Sequence, residues 1–168
     1  MFLNLKGAAK GALIRAAAST QSLDVSRLIT MNNSEIDRND QMLTDAAIEV
    51  LQKNYHPIRH SVGAAVLCAS GQIYTGIDVE SSGYGVCAEP IALGAALSHG
   101  ERDILAVVAV CKSESGYTIL SPCGNCRQML LDYAPEADVI YKDANGVAKT
   151  KSKNLLPGAY VHSDFNDI

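Results

Sequence analysis

Two short cysteine-bearing segments constrain this chain more than any other feature, because each stands where an apolar helix begins. Cys87-Ala88-Glu89 opens a run to His99 that is nearly all Ala, Leu and Ile, with Gly100 directly after it. That reads as a buried helix over 89–99 with a glycine stop. Pro122-Cys123-Gly124-Asn125-Cys126 precedes a second helical turn or two, Arg127 to Tyr133, ended by Pro135. Helix N-termini present unpaired N–H groups and roughly half a positive charge. Sulfur anions are therefore favoured at both sites.

Together the segments offer three thiolates and one carboxylate. Zinc favours thiolates in tetrahedral geometry; structural sites use four protein ligands, whereas catalytic sites use three and keep one position for water. A Cys-x-x-Cys pair (Cys123, Cys126) plus the distant Cys87 makes three, and no fourth Cys or His stands at short ligand spacing. The count favours a catalytic metal. Three thiolates leave Zn²⁺ with a net charge of about −1, which the two helix termini offset; Arg127 adds a positive charge beside Cys126. Glu89, two residues after Cys87, reaches a metal-bound water without being a ligand. It suits a general base that later returns protons as an acid. Other readings exist: a redox Cys-x-x-Cys pair, a structural zinc knot, and a Glu89 that only caps its helix. Cys68 and Cys111 lie within apolar strands and read as core residues.

Around these segments the chain alternates strands and helices. Leu43, Ala47, Val50 and Leu51 share one helix face, with Asn39 or Asp40 as the expected cap. Residues 61–68 and 72–79 read as a hairpin around Ala69-Ser70-Gly71. Ile104 to Cys111 and Ala137 to Tyr141 read as further strands, Asn145-Gly146 as a tight turn and 155–158 as a loop or short turn. The pattern predicts an α/β layered domain.

The charge balance limits the partners. The net charge is −4 over 168 residues, which disfavours polymeric nucleic acid but not a small neutral nucleoside. No run of about 18 apolar residues exists, so no membrane span is expected. Five cysteines, an odd count, do not read as a disulfide framework. The segment 1–38 reads as an extension and 39–168 as the catalytic domain. Met1 to Thr20 is basic, Ala-rich and acid-free, resembling a transit peptide; a divergent or non-native extension, or a start at Met31, accounts for it as well. A cytoplasmic location is expected, with organellar targeting as the alternative.

The joint pattern, Cys-Ala-Glu followed by Pro-Cys-Gly-Asn-Cys, resembles the cytidine deaminase superfamily. Cysteine as first ligand is similar to the free-nucleoside branch. Ser61 to Ala65 resembles the strand entering that family's site, and Ser121 to Gln128 is close to its S-P-C-G-x-C-R-Q segment. Thr75 to Glu80 resembles T-G-x-N-V-E, with Asp78 in place of Asn. Pro90 replaces an arginine common after Cys-Ala-Glu. The span from Asp78 to Cys87 is shorter than in tetrameric cytidine deaminases and looks like blasticidin S deaminase, as do Leu155-Leu156-Pro157 and Tyr160-Val161; Glu80 does not.

The resemblance implies a three-layer α-β-α sandwich with a mixed sheet of about five strands. It implies one Zn²⁺ per subunit held by Cys87, Cys123 and Cys126, with Glu89 as the catalytic proton carrier. Activated water attacks C4 of the pyrimidine, Glu89 protonates N3 and then the leaving amine, and ammonia departs. Glu80 and Asp78 orient the sugar, backbone groups of Ala88 and Ser121 contact the base, and His60 stands where the family has a base-contacting aromatic. Tyr160 and His162 occupy tail positions of substrate-contacting aromatics, though packing explains them equally. A homotetramer is implied. The alternatives are a deaminase of blasticidin S or another modified cytosine, and a non-catalytic zinc-binding protein of the same fold.

Overall fold

A computed structural model describes residues 36–162. The basic, Ala-rich segment at the N-terminus lies outside the described residues. Among the described residues three helices flank a main sheet: α1 Arg38–Asn54, α2 Ala88–Ser98 and α3 Gly124–Tyr133. The strands are β1 Val62–Cys68, β2 Ile73–Ile77, β3 Val79–Glu80, β4 Gly85–Val86, β5 Ile104–Ser113, β6 Gly116–Ile119, β7 Asp138–Asp143 and β8 Gly146–Lys151, followed by a 3-10 turn at Ser152–Asn154.

The main sheet runs β2-β1-β5-β7-β8, with the short β6 also paired to β5. Only β5 and β7 are parallel (Ala106 opposite Asp138, Val108 opposite Ile140); the other pairs are antiparallel. The crossover between the parallel strands contains α3, as such connections require. The sheet is thus mixed, with six strands where about five were expected.

Alternating side chains of the central strands feed two separate cores. Ala64, Val66, Val107, Ala109 and Val139 pack with Ala92, Leu93 and Ala96 of α2 and Leu130 of α3. Ala65, Ala106, Val108, Val110 and Ile140 pack with Leu43, Ala47, Ile48 and Leu51 of α1. This is the three-layer sandwich. It explains why Ile104 to Val110 reads as a continuous apolar run, since a strand covered on both faces has no polar side. Leu43 and Leu51 are wholly buried, each such side chain contributing about 1.5–3 kcal/mol. Val50, expected on that stripe, is only half-buried; Ile48 takes its place.

Helix α1 starts earlier than Asn39 or Asp40 would allow as caps. Asp37 is the N-cap: its Oδ1 accepts from the N–H groups of Asn39 (2.7 Å) and Asp40 (3.0 Å), and Asp40 Oδ2 accepts from the Asp37 N–H (3.0 Å). This reciprocal box satisfies several orphan donors at once. Asp40 is buried and also pairs with Lys149 Nζ at 2.6 Å, tying the helix start to edge strand β8.

Two glycines permit close approach. A Cβ on Gly76 would stand 2.5 Å from the Ala92 nitrogen and 2.8 Å from the Ala88 oxygen, so β2 lies hard against the first turns of α2. A Cβ on Gly63 would meet Leu51 Cβ at 2.9 Å, where β1 meets α1. The bare backbone of β2 thus sets how near α2 sits to the sheet.

Candidate active site

The cysteines take their places from helix architecture. Cys87 is the N-cap of α2 and Cys123 the N-cap of α3, both with extended backbone. Cys126 lies in the first turn of α3 and is buried, whereas Cys87 and Cys123 are exposed. Cys87 Sγ is 3.6 Å from Cys123 Sγ, which is 3.5 Å from Cys126 Sγ. All three sulfurs lie within 4.8 Å of one another. Segments more than thirty residues apart therefore meet at one point.

The spacing fits a metal. Zinc–sulfur bonds of about 2.3 Å in a tetrahedron set sulfurs roughly 3.8 Å apart, within a few tenths of an ångström of the distances here. A disulfide would need about 2.05 Å. The donor set is three soft sulfurs, which select zinc-like ions.

Electrostatics differentiate the thiols. Burial, then the Cys123 thiol, pushes Cys87 up. Burial, then the Glu89 carboxylate, pushes Cys126 up strongly. Burial also acts on Cys123, but the backbone N–H groups of Cys126 and Asn125 and the neighbouring thiols outweigh it, so Cys123 falls below its ordinary value. The α3 N-terminus thus favours the anion at its cap, as a helix dipole should.

Glu89 stands on the second residue of α2, only 6% exposed. It shares a small apolar pocket with Ala109, Leu120, Pro122 and Leu130. Burial raises its carboxyl above the usual range, while its own N–H and the Cys126 thiol pull it partly back. Burial and contact with Cys126 exceed what a solvent-facing helix cap needs. Ala88, the first residue of α2, is also buried.

The sugar-side candidates divide. Asp78 is buried, and its carboxylate is taken: Oδ1 accepts from the Val62 N–H (2.7 Å) and Oδ2 from the Ser61 hydroxyl (3.3 Å). His60 Nδ1 meets the Asp78 carbonyl at 2.7 Å. Asp78 thus fastens the start of β1. Glu80 is exposed, and with Arg59, Ser61, Asp78, Ser81 and Ser82 lines an open groove of about 470 Å³. The β3–β4 ribbon pairs Glu80 with Gly85, two residues before Cys87; such partners lie roughly 5 Å apart at Cα. Ser121 donates from Oγ to the Lys142 carbonyl at 2.5 Å, joining the second cysteine segment to β7.

Arg127 does not stand free beside the sulfurs. Its Nε donates to the Pro122 carbonyl (2.9 Å) and its Nη1 to the Leu155 carbonyl (3.0 Å). Gln128 Nε2 donates to the Tyr160 carbonyl (2.9 Å), holding the tail along α3. Tyr160 is exposed and its ring meets His162 edge-on at 6.3 Å. Cys68 is fully buried, as a core cysteine should be, and Cys111 is half-buried. Among the described residues no helix is long and apolar enough to cross a membrane.

Three clustered thiols beside a buried carboxyl suit a metal-dependent hydrolase, and comparison with known proteins names the group. A family model, the cytidine and deoxycytidylate deaminase zinc-binding region, matches residues 37–142. A blasticidin-S deaminase from Bacillus cereus is 33% identical over 140 residues, covering 79% of this chain and all of the relative. A cytidine deaminase from Halalkalibacterium halodurans is 35% identical over 132 residues, covering 76% of this chain and 98% of the relative. The crystal structure of cytidine deaminase from Mycobacterium tuberculosis matches with a TM-score of 0.61 at 31% identity, covering 75% of this chain and 100% of that one. The chain therefore belongs to the cytidine and deoxycytidylate deaminase family, a family of hydrolytic deaminases.

The Asp78→Ala variant orphans the half-buried Val62 N–H and is expected to lose about 1–3 kcal/mol of stability. Asp78→Asn keeps an acceptor oxygen and should lose less. Denaturant midpoints of the two variants check this; an unchanged midpoint for Asp78→Ala contradicts the fastening role.

Proposed function

We propose that this protein is a zinc-dependent hydrolytic deaminase that converts free cytidine or deoxycytidine, or a close cytosine nucleoside analogue, to the uracil form with release of ammonia. The observation that carries the reading is the meeting of Cys87, Cys123 and Cys126 within 4.8 Å, with the buried Glu89 against Cys126. In this reading the three cysteines hold one zinc ion per chain. Zinc, when bound, supplies Lewis acidity that makes water a competent nucleophile near neutral pH.

The chain's own residues do the rest. Glu89 takes one proton from the attacking water and delivers it to N3 of the base; it then takes the second from the new C4 hydroxyl, which becomes the carbonyl, and gives it to the departing amine. Its raised pKa suits a group that must both accept and donate. The positive ends of α2 and α3 offset the negative charge of the sulfurs. Ala88 and Ser121 offer backbone groups to the base edge, and His60 supports the base from the entry of β1. Glu80, exposed on the groove, takes the sugar hydroxyls. Asp78 orients this wall through Ser61 and Val62. The acidic net charge of −4 agrees with a free nucleoside over a polynucleotide. The catalytic domain begins at the Asp37 cap of α1, two residues before the expected 39, and the preceding residues are an extension of it; the active form is a homotetramer in the cytoplasm.

Glu89→Ala is expected to keep its zinc while kcat falls by about 10²- to 10⁴-fold. Zinc content and the loss of cytidine absorbance measure the two halves. Unchanged turnover would refute the assignment.

A second substrate has a specific observation behind it. The Bacillus cereus relative that the chain spans in full is a blasticidin-S deaminase, and the Asp78-to-Cys87 connection is short, with only two residue pairs in its ribbon. Ultraviolet assays of cytidine, deoxycytidine and blasticidin S side by side separate the readings. The main reading expects kcat/KM for a plain nucleoside at least tenfold above that for blasticidin S; the reverse order supports the alternative.

A further inference from the structure

We infer that Arg127 is a positioning residue that clamps the loop bearing Cys123 and sets the pitch of the Cys123/Cys126 pair. The inference rests on the proposal that these cysteines bind a metal. Residues 120–123 carry no regular secondary structure, and Pro122 has no N–H to donate. Besides the contacts of the Cys123 sulfur itself, four bonds hold this stretch. The Leu120 N–H reaches the Ala109 carbonyl of β5 at 2.9 Å, and Ser121 Oγ reaches the Lys142 carbonyl of β7. The other two both come from Arg127: its backbone N–H to the Cys123 carbonyl at 2.9 Å, and its Nε to the Pro122 carbonyl at 2.9 Å.

The same guanidinium is anchored from behind by the Leu155 carbonyl at 3.0 Å, 28 positions along the chain. A planar fork with donors in fixed directions bridges two carbonyls at a defined separation. The Pro122 carbonyl is one peptide bond from Cys123, so its direction and the Cys123 backbone move together. The bend leading into α3 is thereby braced against the segment that follows the 3-10 turn. Lysine, a single point donor, reaches one of these carbonyls but not both.

The test uses the full chain as wild type, Arg127→Ala, Arg127→Lys and Gln128→Ala, each loaded with cobalt(II) in place of zinc. Affinity is read by competition with a chromophoric chelator, metal geometry by the visible absorption of cobalt, and folding by circular dichroism. Arg127→Ala is expected to bind cobalt about 10- to 100-fold more weakly, with shifted ligand-field bands and a retained fold. Arg127→Lys should fall between it and wild type. Gln128→Ala, which loses the contacts with the Tyr160 carbonyl and the Asp132 carboxylate but none with the cysteine loop, should match wild type. Wild-type affinity and spectrum in both Arg127 variants overturn the clamp, as does an equal loss in Gln128→Ala. Should Arg127→Ala not fold, Arg127→Lys decides by the same criteria. A wild-type protein without sulfur-to-cobalt charge-transfer absorption sinks the metal reading itself, a failure distinct from that of the clamp.

Discussion

The convergence of two helix N-termini on one point is the constraint on which the rest of the structure depends. Helices α2 and α3 lie on the same face of the sheet, in the core built on Ala64, Val66, Val107 and Val139. Each begins with a cysteine cap, so two sulfurs meet at 3.6 Å where the helix starts approach. The arrangement is electrostatically consistent: partial positive charge from two helix starts faces groups that work as anions. Three thiols so close would repel one another when ionised. That crowding is met unevenly: burial pushes Cys87 and Cys126 up, while the start of α3 favours the anion at Cys123.

The fold supports the site from both directions. Gly76 lets β2 press against the first turns of α2, which fixes the depth of Cys87 and Glu89. On the other side, the loop into α3 hangs between β5, β7 and the Arg127 side chain. The third layer, α1, carries neither the clustered cysteines nor Glu89. Its Leu43, Ala47 and Leu51 cover the opposite face of the same strands, without which β1 and β5 would expose an apolar surface to water.

What could be read from the chain alone followed the range of the interactions. Cys87 and Glu89, or Cys123 and Cys126, sit within a turn of each other, so their local meaning survives without a structure. The apolar run 104–110 and the Ala-rich helix were legible for the same reason. The short β6 and the edge strand β8 were not. Gly146 to Lys151 is half-exposed throughout and carries Lys149 and Lys151, whose partners Asp40 and Asp138 come from elsewhere in the chain. The α1 cap was missed: Asn39 and Asp40 suit the position by residue type, but the reciprocal Asp37/Asp40 box places it at Asp37. Asp78 illustrates a deeper limit: its place in a motif suggested a ligand contact, while nothing local announced the bonds its carboxylate accepts from Val62 and Ser61. Arg127 likewise looked like a local charge, while its partner at Leu155 lies 28 positions away.

X-ray absorption at the zinc edge of the purified protein tests the central claim most directly. The account predicts three sulfur neighbours at about 2.3 Å and one lighter oxygen or nitrogen neighbour around a single zinc, with one sulfur lost in the Cys87→Ala variant. A spectrum with two sulfurs or fewer, or one that Cys87→Ala leaves unaltered, would contradict it.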